Sequence, residues 1–178
     1  YVDAEAGSDT NDGLSPSSAF ATLQKASDAT TSHTTIYVAD GTYRNANFGT
    51  SSADNGPVVA FRNVREIVLS NLPGHLPRIE FDGSAGVSGY NVRGFEVRGF
   101  EVKGSADQIT YEEAMADRPL HSRRFSGRGI AIWGGVHIHI HGNVVHHAPG
   151  AGILVNASDY CTIARNVVHN NTWWSANA

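Results

Sequence analysis

The feature that most constrains the fold of this 178-residue chain is an internal repeat of 23 residues. Gly129-Ile130-Ala131-Ile132 returns as Gly152-Ile153-Leu154-Val155. The same offset relates a second run, in which Ile138, Ile140, Asn143, Val144, Val145 and His146 match Cys161, Ile163, Asn166, Val167, Val168 and His169. Each unit contains short stretches of apolar alternation between turn residues, which is the pattern of β-strands. Because one such strand cannot bury its apolar face alone, the repeat predicts strands stacked coil on coil, about 4.8 Å apart.

An earlier copy of the unit precedes these two at a longer offset. Gly86 lies 43 residues before Gly129, and Phe95 lies 43 residues before Ile138. The 20 extra residues predict an insertion in this coil, within residues 104–126. Further strands of less regular coils are predicted at Val58–Phe61, Ile67–Leu69 and Ile79–Phe81.

These patterns predict one all-β domain over residues 1–178, a right-handed parallel β-helix (solenoid) with an N-terminal capping helix and one helical loop insertion. Residues 1–45 form the cap and first coil, 46–103 the irregular coils, 104–126 the insertion, and 127–178 the regular coils. The capping helix is predicted at Ala19–Thr30, with Phe20, Leu23 and Ala26 on one face. Such a helix covers the unpaired strand edge at the end of a solenoid.

Composition and charge exclude several classes of protein. The formal net charge of -4 excludes a globally basic nucleic-acid binder. No apolar run approaches the length of a membrane span, so neither nucleic acid nor membrane is predicted as a partner. Cys161 is the only cysteine and allows no internal disulfide. Because it matches Ile138 in the repeat, it is predicted to be a buried small apolar residue and not a nucleophile. A start at Tyr1 without Met suits an exported protein after removal of its signal peptide, so a secreted, extracellular or periplasmic location is predicted.

The C-terminal end is predicted to be incomplete. The 23-residue offset places the next strand near residues 175–178, where the sequence finishes. A solenoid that stopped there would expose an apolar cross-section. We therefore expect further polypeptide or a second chain to cover this end. The alternative is a shortened terminal coil that is closed by Trp173 and Trp174.

Three N-terminal segments resemble the signature of pectate-lyase-like β-helix proteins. They are Gly-Ser-Asp-Thr-Asn-Asp-Gly-Leu-Ser (7–15), Ala-Phe-Ala-Thr-Leu-Gln-Lys-Ala (19–26) and Ile-Tyr-Val-Ala-Asp-Gly-Thr-Tyr (36–43). The resemblance implies a parallel β-helix. The superfamily includes polysaccharide lyases acting on pectin, alginate or chondroitin, glycoside hydrolases and non-catalytic members, so it constrains the activity far less. It also implies Ca²⁺ as a cofactor, although no cluster of acidic residues on adjacent coils identifies a calcium site in this chain.

Histidines form the densest group of candidate catalytic residues. His146 and His169 occupy the same position on successive coils and should stack near a turn, with Arg165 close by; these three are the predicted catalytic residues. A ladder that only satisfies turn backbone groups is the alternative. His137, His139 and His141 alternate with apolar residues and share the outward face, but the next coil supplies no third ligand, so no metal site is predicted.

The insertion supplies candidate substrate-binding residues. Thr110 and Glu113 have the spacing of a capping box, which predicts two helical turns within Ile109–Asp117. A local basic patch follows, formed by His121, Arg123, Arg124 and Arg128. Guanidinium groups pair with uronate carboxylates, so this patch suits an anionic polysaccharide. Trp173 and Trp174 are further candidates, which stack on sugar rings or pack under the next coil.

The leading functional hypothesis is a secreted polysaccharide lyase that cleaves an anionic, uronate-containing polysaccharide by β-elimination. In that chemistry a cation neutralises the uronate carboxylate, a base removes the C5 proton, and the glycosidic oxygen leaves. The alternatives are a glycoside hydrolase on the same fold, which needs a pair of carboxyl groups, and a non-catalytic carbohydrate-binding or surface module.

Overall fold

In a computed structural model that describes residues 1–50 and 55–172, the chain forms fourteen named strands in these ranges. They are β1 Thr34–Val38, β2 Thr42–Arg44, β3 Val59–Arg62, β4 Arg65–Asn71, β5 Arg78–Glu80, β6 Ala85–Tyr90, β7 Arg93–Arg98, β8 Glu101–Lys103, β9 Arg128–Trp133, β10 Val136–His141, β11 Val144–His146, β12 Ile153–Asn156, β13 Asp159–Ala164 and β14 Val167–His169. The three strands predicted for the irregular coils correspond to β3, β4 and β5.

The strands form three parallel sheets, and each full coil contributes one strand to each sheet. The first sheet has the order β1-β4-β7-β10-β13, the second β2-β5-β8-β11-β14, and the third β3-β6-β9-β12. Val136 pairs with Asp159, 23 residues later, and with Arg93, 43 residues earlier, so both offsets of the repeat are pairing registers. The predicted fold class, a parallel β-helix, is confirmed.

The inward side chains of all three sheets meet in one core. Phe61 and Phe95 pack there with ring centroids 5.0 Å apart and their planes tilted by 53°, and Ile138 and Ile140 are fully buried. The repeated glycine has a packing role in this core. A Cβ on Gly86 would lie 2.8 Å from the carbonyl oxygen of Gly129, and one on Gly129 would lie 2.5 Å from that of Gly152. Only glycine therefore allows these three coils to approach each other so closely.

Asparagine makes a second inward ladder at Asn143 and Asn166, whose shared repeat position before a Val-Val pair predicts either an inward amide stack or a left-handed turn residue. Asn143 is buried, and its side-chain Nδ2 donates to Asn166 Oδ1 at 3.1 Å. The same amide accepts from the backbone N–H of Phe100 and donates to the carbonyl oxygen of Val97. The ladder satisfies backbone groups at the turn between the first and second sheets, where strand pairing stops.

The capping helix is shorter than predicted. It runs over α1 Leu23–Ala29, because Thr22 is its N-cap and accepts from Lys25 N–H at 3.1 Å. Phe20 is buried, but it lies before the helix in an isolated parallel bridge with Val2. The prediction of a helix from Ala19 was therefore wrong, since the helix begins only at Leu23 and residues 19–22 lie before it.

The insertion joins the second sheet to the third. It contains a 3₁₀ turn at Ala106–Gln108 and two short helices, α2 Tyr111–Asp117 and α3 Arg123–Ser126. The predicted capping box is present, with Thr110 Oγ1 accepting from Glu113 N–H and Glu113 accepting from Thr110 N–H. Asp117 is buried and accepts from the backbone N–H and hydroxyl of Ser122, which holds α2 and α3 together. Among the helices that the structure describes, none has the length and apolarity to cross a bilayer.

Cys161 was predicted to be a buried apolar residue because it matches Ile138, and this is wrong. Cys161 is exposed. Ile163 and Val168 on the same coil are 51% and 48% exposed. In the described part of the chain no later strand covers β13 or β14, so side chains that are buried in earlier coils are accessible in this one.

Candidate functional site

A row of polar side chains runs along the outer face of the second sheet. The strand register aligns Arg44, Glu80, Lys103, His146 and His169 on five successive coils. Their preceding neighbours Tyr43, Ile79, Val102 and Val145 are buried, so alternation places the row on the outside. The short β-strands thus bring together residues that are up to 125 positions apart in the sequence.

Glu101 links this row to a chain of ion pairs. Arg78 contacts it with two nitrogens, Nε to Oε2 at 2.9 Å and Nη2 to Oε1 at 2.6 Å. His146 Nε2 lies 3.0 Å from Oε1 of the same carboxylate. The hydrogen bond from Arg78 lowers the pKa of Glu101 below its ordinary value, and the hydrogen bond from His146 adds a smaller effect in the same direction. The imidazole of His146 is therefore oriented by an ionised carboxylate that an arginine fixes in turn.

Three imidazoles meet beside Glu101, and we call them the histidine cluster: His146, His147 and His169. The rings of His146 and His169 are parallel with centroids 5.1 Å apart, as their shared repeat position predicts. His146 Nδ1 lies 2.6 Å from His147 Nδ1, so one of these nitrogens carries the hydrogen and donates it in a hydrogen bond, and the other accepts. Burial lowers the pKa of His147, which favours its neutral form.

Accessibility separates the two predicted catalytic histidines. The side chain of His146 is only 12% exposed, whereas His169 is an exposed residue. Arg165 lies at the turn before β14, at the opposite end of that strand from His169, and is exposed. Its φ of 55° marks a left-handed turn position, and no hydrogen bond joins it to either histidine among the described residues.

The three alternating histidines of β10 have separate surroundings. Ile138 and Ile140 between them are fully buried, so the predicted alternation is present. His137 stacks on Tyr160 with ring centroids 4.9 Å apart, and His141 Nε2 lies 3.0 Å from Glu96 Oε1. Sequence reasoning missed both histidine–glutamate pairs, because each joins residues 45 positions apart.

The insertion lies at the corner between the second and third sheets. Its first turn contacts the histidine cluster, since Ala106 N–H donates to the His147 carbonyl at 2.8 Å. His121 and Arg123 are exposed, and the Arg124 guanidinium lies 5.6 Å from the Phe125 ring centroid. The predicted substrate-binding residues Trp173 and Trp174 lie outside the described residues.

Arg128 is placed with a different group, on the outer face of the third sheet. Its guanidinium carbon lies 5.5 Å from the Trp133 ring centroid. The register pairs Trp133 with Tyr90, which is 55% exposed, and pairs Tyr90 with the exposed Arg62. We call Arg62, Tyr90, Trp133 and Arg128 the arginine–aromatic face. Tyr90 and Trp133 share the 43-residue offset, so the repeat could have identified the pair, whereas only the register adds Arg62.

The charge on this face is not neutralised within the described residues. Arg44, Arg78 and Arg98 on the other two sheets each form an ion pair with a glutamate. No ion pair involves Arg62 or Arg128 in the described part of the chain, and none of the four third-sheet strands contains Asp or Glu. Two positive charges therefore flank two adjacent aromatic rings, which suits an anionic ligand with an apolar ring face.

The ion-pair chain at Glu101 predicts a pH-dependent stability. Glu101→Gln should lower the free energy of unfolding by about 1 kcal/mol at neutral pH. Because the folded pKa of Glu101 is lowered, its contribution is complete above the unfolded pKa and is lost as the pH falls through the folded one. Urea unfolding followed by circular dichroism at neutral and acidic pH measures this. Glu112→Gln, at an exposed position on α2, is the matched control, and a Glu101→Gln deficit that stayed constant into acid would contradict the prediction.

Comparison with known proteins gives one family. The family model described as "NosD: Periplasmic copper-binding protein (NosD)" matches residues 63–176, which is more than half of the chain. Neither a curated protein nor a solved structure gives a significant match.

Proposed function

The chain belongs to the NosD family, which is described as periplasmic, and from this premise we propose that it is an exported β-helix protein that binds an anionic polysaccharide. The periplasmic description agrees with the exported location predicted from the sequence. The observation that carries the proposal is the arginine–aromatic face of the third sheet. It brings together the exposed Arg62 and Tyr90 with the half-buried Trp133 and Arg128 on neighbouring strands.

The chemistry of this face fits a uronate better than a neutral sugar. A pyranose ring has an apolar side that packs on Tyr or Trp, and its carboxylate accepts two hydrogen bonds from a guanidinium. Arg128 already lies over Trp133, so a carboxylate bound to Arg128 would place its sugar ring beside the aromatic pair. Since the strands carry no acidic residue, nothing on them repels the ligand.

The finer proposal is β-elimination, which makes the protein a polysaccharide lyase. Arginine neutralises the uronate carboxylate, a base takes the C5 proton, and the glycosidic oxygen leaves with the pair of electrons of its bond. Support comes from the neighbouring corner, where the insertion joins the histidine cluster to the third sheet. His169 is the accessible candidate base, and His146, held by Glu101, orients it through ring stacking.

Copper, which the family description names, does not fit the described residues. Among them no group of three or more His, Cys, Asp or Glu is arranged to hold a metal ion. The rings of His146 and His169 are parallel with centroids 5.1 Å apart, so their in-plane nitrogen lone pairs cannot meet at one ion. The Ca²⁺ implied by the pectate-lyase resemblance likewise lacks such a group in this part of the chain, and Arg62 and Arg128 supply the positive charge in the proposal.

The test measures binding and chemistry separately. Calorimetric titration with pectate, alginate and glycosaminoglycan oligosaccharides should detect binding to at least one of them. Arg62→Ala combined with Arg128→Ala should weaken this binding at least tenfold. Arg118→Ala, which removes an exposed charge at the end of α2, should leave it unchanged. A double variant that binds as tightly as the wild type would disprove the role of this face.

Product analysis then distinguishes the activities. Ultraviolet absorbance from an unsaturated uronate indicates elimination, and His169→Ala should abolish it while leaving binding intact. New reducing ends without that absorbance would favour the glycoside hydrolase, and binding without either product would favour the non-catalytic module. Glu80 and Glu101, two carboxylates on the second sheet, are both bound to Arg78, which disfavours them as a hydrolytic pair.

A further inference from the structure

An open groove lies on the outer face of the first sheet. Its volume is about 430 Å³, within the range of small-ligand sites. It is lined by His33, Glu66, Val68, Gly94, Glu96, His137 and His139. The arginine–aromatic face and the histidine cluster share no residue with it, so this is a separate feature of the surface.

The groove exists because one side chain is missing from a stacked row. His33, Glu66, Gly94, His137 and Tyr160 occupy equivalent left-handed positions on five coils, with φ between 52° and 66°. Gly94 contributes no side chain, which leaves a gap between Glu66 and His137. A Cβ on Gly94 would lie 2.5 Å from Glu66 Oε1, so the carboxylate of Glu66 leans into this gap.

Two other side chains that line the groove, Glu96 and His137, are held in place by neighbouring residues. Glu96 Oε1 lies 3.1 Å from Arg98 Nη1 and 3.0 Å from His141 Nε2, which fixes its carboxylate beside the gap. The ring of His137 is stacked on that of Tyr160, with 12° between the planes. The groove thus combines two carboxylates, a fixed flat ring and the further imidazoles of His33 and His139.

The charge of the lining selects a cationic ligand. Two of the seven lining residues are glutamates and none is Lys or Arg. Arg98 next to the groove is paired with Glu96, and Arg65 and Arg93 lie in the adjoining row of the first sheet, outside the lining. The carboxylates and imidazoles surround a space of molecular size and do not converge on a metal ion in the described residues. An organic cation fits this arrangement better than a bare metal.

We propose that the Gly94 groove binds a sugar unit with a free, protonated amino group. The ammonium lies between the carboxylates of Glu66 and Glu96, where it can donate to both. The apolar side of the pyranose packs on the His137 ring, and the imidazoles of His33 and His139 bond to its hydroxyls. This site is independent of the polyuronate site on the third sheet.

The experiment titrates the full chain with a tetrasaccharide of glucosamine that carries free amines. We expect binding that weakens with added salt, and at least tenfold weaker binding of the N-acetylated tetrasaccharide, which has no charge. Glu66→Gln should weaken binding about fivefold, the equivalent of about 1 kcal/mol for an exposed ion pair. Glu112→Gln, which removes the same charge from α2, should have no effect.

Three outcomes would overturn the proposal. They are no detectable binding of the free amine, equal binding of the N-acetylated form, and an unchanged affinity in a folded Glu66→Gln protein. The Arg62→Ala, Arg128→Ala double variant separates the two sites. It should lose polyuronate binding and keep the amino-sugar affinity, and a loss of both would contradict the independence of the groove.

Discussion

Replacing Asn143 by alanine is expected to lower the free energy of unfolding by about 3 kcal/mol. The Asn143 amide accepts from Phe100 N–H at 3.1 Å and donates to the Val97 carbonyl at 3.0 Å. Phe100 and Val97 are buried, so alanine would leave a backbone donor and an acceptor without partners and without access to bulk water. Each such orphaned group costs about 1 to 3 kcal/mol.

The measurement is urea unfolding followed by far-ultraviolet circular dichroism. Asn156→Ala is the control, because Asn156 is exposed on β12 and the substitution there removes only a surface amide. The control should change the free energy of unfolding by less than about 0.5 kcal/mol. A loss below 1 kcal/mol for Asn143→Ala would show that water replaces the amide, and would contradict the structural role of the ladder.

The second large effect is expected from Gly129→Ala, which should cost about 3 kcal/mol through overpacking. The added Cβ would lie 2.3 Å from Val145 Cγ1 and 2.5 Å from the Gly152 carbonyl oxygen. The valine side chain could rotate, but the carbonyl belongs to the next coil. Removing the clash therefore requires the two coils to move apart, which lengthens the hydrogen bonds between β9 and β12.

Gly56→Ala is the matched control, since no atom of the described residues lies within 4 Å of the Cβ that it would add. That substitution should be neutral or slightly stabilising, because alanine has less backbone freedom in the unfolded chain. Thermal unfolding of the two variants, compared with the wild type, gives the difference directly. Equal melting temperatures for the two would disprove the close approach of the coils at Gly129.

The predictions that held were those that depend on equivalent positions in successive coils. The offset between Gly129 and Gly152 is the pairing register of β9 and β12, so it specifies which strands are neighbours. The stacking of His146 on His169 and the amide ladder of Asn143 and Asn166 follow from the same register. A solenoid makes such predictions possible because each repeat mainly contacts the next one.

The predictions that failed concern residues whose surroundings differ from those of their repeat partner. Cys161 matches the buried Ile138 in sequence, but no later strand covers it in the described part of the chain. Phe20 follows the helical spacing, yet it is extended because Thr22 caps the helix after it. Burial and capping depend on neighbours outside the repeat, and a pattern within the repeat does not report them.

The sequence by itself determined that this chain is a stack of parallel coils with a 20-residue insertion, because a two-residue apolar alternation repeated at a constant offset is buried only when equivalent strands pair. Tertiary structure alone decided which polar groups form sites. Glu101 pairs with Arg78 and His146, Arg128 lies over Trp133 beside Tyr90, and Glu66 leans into the gap at Gly94. Most of these contacts join different strands or coils, and the others depend on the conformation of a long side chain. The 23-residue repeat does not specify them, because it constrains the inward residues far more than the outward ones.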